Sequence, residues 1–288
     1  MLSSRRVRVC AAVMSRTVQE MNLIHDTTPS AAAAAGRTLI ASALIGSMLK
    51  NDTDSVTCSI TSDGEINRIT AVSDAQAQVK CEVMNPYTST ALNDQHKIDV
   101  KSIVGKGTLT VSKDLGYSRP YTAQTELVSG EIAEDFAHYF LVSEQIPSAV
   151  SLGVFVNTDL EVTHARGFIV QLMPGYDEET ADCLEDKVRS MPPVTQLLRD
   201  GGDAYAVIKE LFRDFDDYEI TKTLSPSYRC SCSRHKAEQI ILSLGEDEII
   251  SIIEDEIDDV EMKCHFCTNT YRFSKDHLRN LLNETTKL

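Results

Sequence analysis

Cys230-Ser231-Cys232 and Cys264-His265-Phe266-Cys267 are two close cysteine pairs near the end of a 288-residue chain, with thirty-one residues between them. Each pair can grip a metal from one tight turn, and four thiolates suit a tetrahedral zinc ion with Zn–S bonds of about 2.3 Å. A C-x-x-C half is common by itself. Its combination with a C-x-C and a domain-sized gap is specific. The pattern predicts one zinc per chain on Cys230, Cys232, Cys264 and Cys267, with a disulfide cluster or free thiols as the other readings. A metal module this small has little core, so zinc would carry much of its stability.

The rest of the chain has the composition of a folded protein, 42% hydrophobic and 25% charged, and a length that suits two or three domains. It lacks an apolar run of the length a membrane span needs. The net charge is −15 and the sequence pI is about 4.9. Residues 1–176 carry a net −4, residues 177–226 a net −7 and residues 227–288 a net −4. No segment is the basic platform that phosphate neutralisation requires, which opposes nucleic acid as a partner. Cys10, Cys58, Cys81 and Cys183 are scattered and read as small buried hydrophobes. A secreted disulfide framework would be shorter and denser in cysteine, so a reducing cytoplasm is expected. Arg5, Arg6, Arg8 and Arg16 near the start, with no acid among the first nineteen residues, suit a basic first strand or surface arm, and more faintly an organelle transit peptide.

Periodicity divides the chain into three. Residues 1–176 read as an α/β core. Thr28-Pro29 opens a helix, and Ala31 to Leu49 carries an apolar stripe through Leu39, Ile40, Ala43, Leu44, Met48 and Leu49. Its many small residues allow close packing. Ser55–Thr61, Ile66–Val72, Ala77–Val83, Gly105–Lys113 and Tyr121–Leu127 read as strands of an antiparallel sheet, with Asp63-Gly64 as a turn. Ser129 is the expected N-cap of a helix running to about Glu144, and Val150–Val156 and Val162–Leu172 are apolar strands. Residues 177–226 change character. Stripes through Leu184, Val188 and Met191, through Val194, Leu197 and Leu198, and through Ala204, Val207, Ile208, Leu211 and Phe212 predict three short helices, the third capped by Asp203. Such helices need another surface to cover their apolar sides. The acidic run Asp214, Asp216 and Asp217 around Phe215 reads as solvated. Residues 227–288 form the metal domain. Helices are expected through Ala237, Ile240, Ile241 and Leu244, stopped by Gly245, and through Ile249, Ile250 and Ile253. An acidic stretch, Glu254 to Glu261, follows, and Tyr271 and Phe273 lead into a last helix through Leu278, Leu281 and Leu282. The fold class is α+β: an α/β core with antiparallel sheets, a helical linker and a small four-cysteine domain.

Residues 36–50 (GRTLIASALIGSMLK), 126–136 (ELVSGEIAEDF), 143–147 (SEQIP) and 165–175 (ARGFIVQLMPG), together with the two cysteine pairs, are several separate stretches. Together they resemble the redox-regulated holdase chaperones, the thirty-three-kilodalton heat-shock protein family. The resemblance covers nearly the whole chain, which begins a strand short of the family's usual start. Glu256 and Ala123 stand where the family has glycine, an effect expected on local turns only. The resemblance implies a chaperone that holds unfolding client proteins without ATP. Reduced protein would bind zinc and be inactive. Oxidant would form disulfides within the pairs, Cys230–Cys232 and Cys264–Cys267, expel zinc and destabilise the linker. The active form would be a homodimer.

The residues alone leave other readings open. Most four-cysteine sites are structural, which gives a zinc-ribbon interaction protein without redox switching. A thiol–disulfide oxidoreductase using Cys264 and Cys267 would need a thioredoxin-like βαβ pattern, which is missing. An acidic chain opposes a nucleic-acid-binding ribbon. No nucleotide-binding glycine motif is present, and His25, His96, His138, His164, His235, His265 and His277 show no metal or triad spacing, so no enzyme activity is expected. His265, between two zinc cysteines, reads as a solvent-facing loop residue rather than a ligand.

Overall fold

Helix α2 (Pro29–Ser47) is buried on every side from Ser30 to Gly46 except at Arg37. A helix apolar all round belongs in the middle of a core. The computed structural model places it there, between two sheets, and describes residues 6–94, 97–192, 194, 203–213, 218–255 and 259–285, the side chains of 283–285 excepted. The expected stripe is thus a buried cylinder, and Met48 and Leu49 lie just past its end. Small residues make this possible. A Cβ on Gly46 would stand 2.4 Å from Ser73 Oγ and 2.6 Å from the Asp74 carbonyl, and one on Gly36 would stand 2.7 Å from a Val18 methyl.

The chain divides into two units, Met1–Arg229 and Cys230–Leu288. In the first, β1 (Val7–Val13) leads into α1 (Ser15–His25) and α2. Strands β2 (Ser55–Ser62), β3 (Arg68–Asp74), β4 (Gln78–Val83), β5 (Gly107–Asp114) and β6 (Tyr121–Glu126) follow, with a one-turn helix α3 (Val100–Val104) before β5. They form a sheet in the order β6-β5-β2-β3-β4-β9, where β9 is Ser227–Tyr228. All its pairings are antiparallel except β4 with β9. The alternation read from the sequence holds, and Val56, Cys58 and Ile60 are all 0% exposed. Ala123 sits inside β6 opposite Val111, so its side chain affects a strand and not the expected turn. The second sheet, β1-β8-β7, comprises β1, β8 (Val162–Leu172) and β7 (Ser148–Val156). Arg8 and Arg16 lie in β1 and α1, which places these basic residues in a first strand and helix.

Helix α4 (Ala133–Tyr139) and the π-helical turn Phe140–Glu144 begin differently from expectation. Ser129 is not the N-cap; its hydroxyl accepts from the Glu131 amide. The cap position is Ile132, a β-branched residue at φ 71°, a strained conformation. The fully buried Asp135 carboxylate holds it there by accepting the amides of Val128, Ser129, Gly130 and Ile132 at 2.8–3.3 Å. Four donors on one carboxylate make it indispensable. Asp135→Ala is expected to cost about 3 kcal/mol or more, because several buried amides lose their acceptor at once. Denaturant unfolding measures this, and a loss under about 1 kcal/mol would mean the amides find other partners.

Helices α5 (Glu178–Ser190) and α6 (Ala204–Leu211) pack against the outer face of the three-stranded sheet. Leu184, Val194, Val207, Leu211 and Phe212 are 0–3% exposed and form one apolar cluster with Val7, Phe168 and Val170. The two helices are capped by Asp177, which accepts from the Thr180 amide at 2.7 Å, and by Asp203, which accepts from the Ala206 amide at 3.2 Å. The Asp203 cap matches expectation. Leu197 and Leu198, the run around Phe215, and Glu256 lie outside the described residues. Helices of 13 and 8 residues are marginal without docking. Amide hydrogens in α5 and α6 should therefore exchange faster than those of α4 in the reduced protein. Equal protection, measured by mass spectrometry, would show that docking is not marginal.

Candidate metal centre

The second unit is small. Its core is Ala237, Ile241, Ile249, Ile253, Phe273 and Leu278. Helix α7 (Arg234–Leu242) starts at Ser233, whose hydroxyl accepts from the Lys236 amide. Gly245, at φ 94°, separates it from α8 (Glu246–Glu254), as the sequence suggested. The acidic stretch does not run straight to the last helix, α9 (Lys275–Thr285). It enters a hairpin of β10 (Asp259–Lys263) and β11 (Thr270–Ser274) that sequence reading missed. Val260 and Met262 opposite Phe273 and Tyr271 were its signal, diluted by the surrounding acids.

The cysteines come from two local structures. Cys264 and Cys267 stand in the turn of this hairpin. The Thr268 amide donates to the Cys264 carbonyl at 2.8 Å, the Cys264 amide donates to the Asn269 carbonyl at 2.8 Å, and Thr268 takes φ 60°. Cys230 and Cys232 stand in the loop before α7, where Lys236 donates its Nζ to the Ser231 carbonyl. Arg234 joins the two pieces, donating to the Arg272 carbonyl at 3.0 Å with its guanidinium 4.5 Å from the centre of the Phe273 ring.

All four Sγ atoms lie within 4.8 Å of one another, positioned to bind a metal ion. Between the pairs, Cys230 Sγ lies 3.7 Å from Cys264 Sγ and Cys232 Sγ lies 3.3 Å from Cys267 Sγ. A tetrahedral ion with bonds of about 2.3 Å requires sulfurs about 3.8 Å apart, so the cage needs only small adjustments. Tyr271 donates its hydroxyl to Cys232 Sγ at 3.1 Å. Sequence reading gave this residue no such role; its place on the strand leaving the cysteine turn is what brings it there. Burial opposes ionisation of Cys232, but hydrogen bonds from Tyr271, Cys267, Cys230 and Cys264 outweigh it and bring its pKa down to about 7. Cys267, shielded from water and hydrogen-bonded to Cys232, is pushed up. Cys232 is thus the more readily ionised of the two. His265 is exposed and outside the sulfur cluster.

The other cysteines are elsewhere and inert in character. Cys58 and Cys81 are fully buried in the core, where desolvation raises Cys58 to about 12 and Cys81 further. Cys10 and Cys183 are half-buried, and burial also raises Cys10. No described helix is long and apolar enough to cross a membrane.

Comparison with known proteins gives a consistent picture. A family model described as Hsp33 protein matches residues 1–274. A 33 kDa chaperonin of Clostridium beijerinckii is 42% identical over 280 residues, spanning 97% of this chain and 95% of that protein. One of Bacillus velezensis is 41% identical over 283 residues, spanning 98% and 96%. The crystal structure of the 33 kDa chaperonin (heat shock protein 33 homolog) of Thermotoga maritima matches with a TM-score of 0.89 at 33% identity, over 99% of this chain and 96% of that one. Sequence and fold agree along almost the entire length, and the chain belongs to the Hsp33 family.

Proposed function

We propose that this protein is an ATP-independent holdase for unfolding client proteins, switched on by oxidation of its four clustered cysteines. The observation that carries the reading is the cage itself: four sulfurs within 4.8 Å, drawn from two turns of a unit with six buried apolar residues among those described. Zinc is the ion of choice for four thiolates at these separations, and when bound it would join the two turns and supply most of the unit's folding free energy.

Oxidation acts on the sulfurs. A thiolate attacks peroxide, one O–O bond breaks, and the cysteine becomes a sulfenic acid with release of water. The neighbouring thiolate then attacks that sulfur, expels a second water on protonation, and closes a disulfide. Each pair gives up two electrons, and each peroxide is reduced to two waters. Pairing Cys230 with Cys232 and Cys264 with Cys267 leaves no thiolate cage. Residues 177–226 act as the metastable linker, and their departure opens the apolar face carrying Val7, Phe168 and Val170. Homodimerisation accompanies the active state, and a reducing cytoplasm keeps the resting state reduced.

Suppression of aggregation of a heat-unfolding client, assayed with reduced and with peroxide-treated protein, tests this. Holding is expected only after oxidation. Equal behaviour of both forms would favour a zinc ribbon with inert cysteines.

A further inference from the structure

Arg166 occupies the middle strand of the three-stranded sheet, opposite Val13 of β1 and Gly153 of β7. The next residue, Gly167, faces α2, since a Cβ there would meet an Ile40 methyl at 2.8 Å. Strand alternation turns Arg166 the other way, to the face that carries Phe168 and Val170 and is covered by α5 and α6. Arg166 is only 5% exposed. Its Nε and Nη1 are cut off from solvent without a hydrogen-bond partner, and no described carboxylate pairs with it. Other enclosed cations differ: Arg37 pairs with Glu131 at 2.8 Å, and Lys113 pairs with Glu144 at 2.5 Å.

A guanidinium stays charged in proteins, and burying it without a partner carries a large penalty. Desolvation pushes Arg166 down from its ordinary range, and no charge among the described residues opposes it. The penalty exists only while the sheet face is covered. Once the helices leave, water solvates the side chain.

We propose that Arg166 is a built-in destabiliser of the covered sheet face, weakening the docking of α5 and α6 and setting how readily they leave. What their departure does for a client rests on the holdase reading; the weakened docking does not.

Hydrogen exchange of the full-length reduced protein tests the proposal. Arg166→Met keeps the length of the side chain and removes its charge. Exchange in α5 and α6 should slow by about tenfold or more, with α2 unchanged, because a well-packed apolar residue replaces an unpaired ion. Val13→Glu offers a second route. Val13 and Arg166 form a non-hydrogen-bonded antiparallel pair, where facing side chains are close. The new carboxylate should slow exchange in the wild-type background by pairing with Arg166, and speed it when Arg166 is Met. Unchanged rates in Arg166→Met, or the same effect of Val13→Glu in both backgrounds, would overturn the proposal. In parallel, peroxide-treated Arg166→Met should need a higher temperature than wild type to hold a client. If the wild type shows no oxidation-dependent holding, the holdase reading fails, while the exchange rates still decide the role of Arg166.

Discussion

Serine at any one of Cys230, Cys232, Cys264 or Cys267 is expected to abolish tight zinc binding and unfold the second unit. A hydroxyl does not ionise at neutral pH, so the cage loses one of four anionic ligands. The consequence is large because the unit has little else. Among the described residues its apolar core is six buried side chains, the smallest of which is Ala237. Zinc in small cysteine domains contributes about 10–16 kcal/mol of folding free energy. Loss of most of that exceeds what the hairpin and three helices can offset. Zinc per chain should fall from one to near zero, and amides of α7 and α8 should lose protection. Serine at Cys58 or Cys183 should leave zinc content unchanged, although the hydroxyl at position 58 will weaken the core. Equal zinc loss in both classes of variant would mean that the ion sits elsewhere.

The second large effect is that oxidation should unfold this unit even as covalent bonds form. Which sulfurs join decides whether the unit stays tied together. In a cage every sulfur neighbours every other, so the short distances between pairs, 3.7 and 3.3 Å, do not select a pairing. Disulfides within the pairs close loops of three and four residues. Each restrains the unfolded chain by only about 1.5–2 kcal/mol in the chain-entropy model, far less than the metal contributes. They also leave the Cys230 loop unconnected to the hairpin turn. Disulfides between the pairs would close loops of more than thirty residues and keep those pieces tied. The family resemblance implies pairing within each motif, so peptide mapping after peroxide treatment should find Cys230–Cys232 and Cys264–Cys267 together with loss of helix. A preponderance of Cys230–Cys264 and Cys232–Cys267 with the unit still folded would contradict the account.

Much of this was legible in the chain. The cysteine spacing pointed to the cage, the alternation through Val56, Cys58 and Ile60 pointed to a sheet, and small residues pointed to a closely packed α2. What was illegible depends on contacts between distant residues. Ser129 has the local chemistry of a cap, but Asp135 captured the amides because the chain turns through Ile132 first. The β10–β11 hairpin was hidden because its alternation is short and lies among acids. Pairing of β9 with β4 joins residues about 150 positions apart, which no local pattern reports. Tyr271 and Arg166 look ordinary in sequence; a sulfur partner distinguishes one, and two enclosed nitrogens without a partner among the described residues distinguish the other.

On the proposed function, loss of the thiolate cage, undocking of α5 and α6, and client holding are expected as one event. The direct measurement treats the reduced protein with peroxide at a temperature that loosens the linker, and follows zinc release, far-UV helix signal and aggregation suppression in the same sample. Zinc release, a fall in helix signal and the onset of holding are expected together. Holding that appears while zinc and helix content stay at their reduced values would contradict the proposed function.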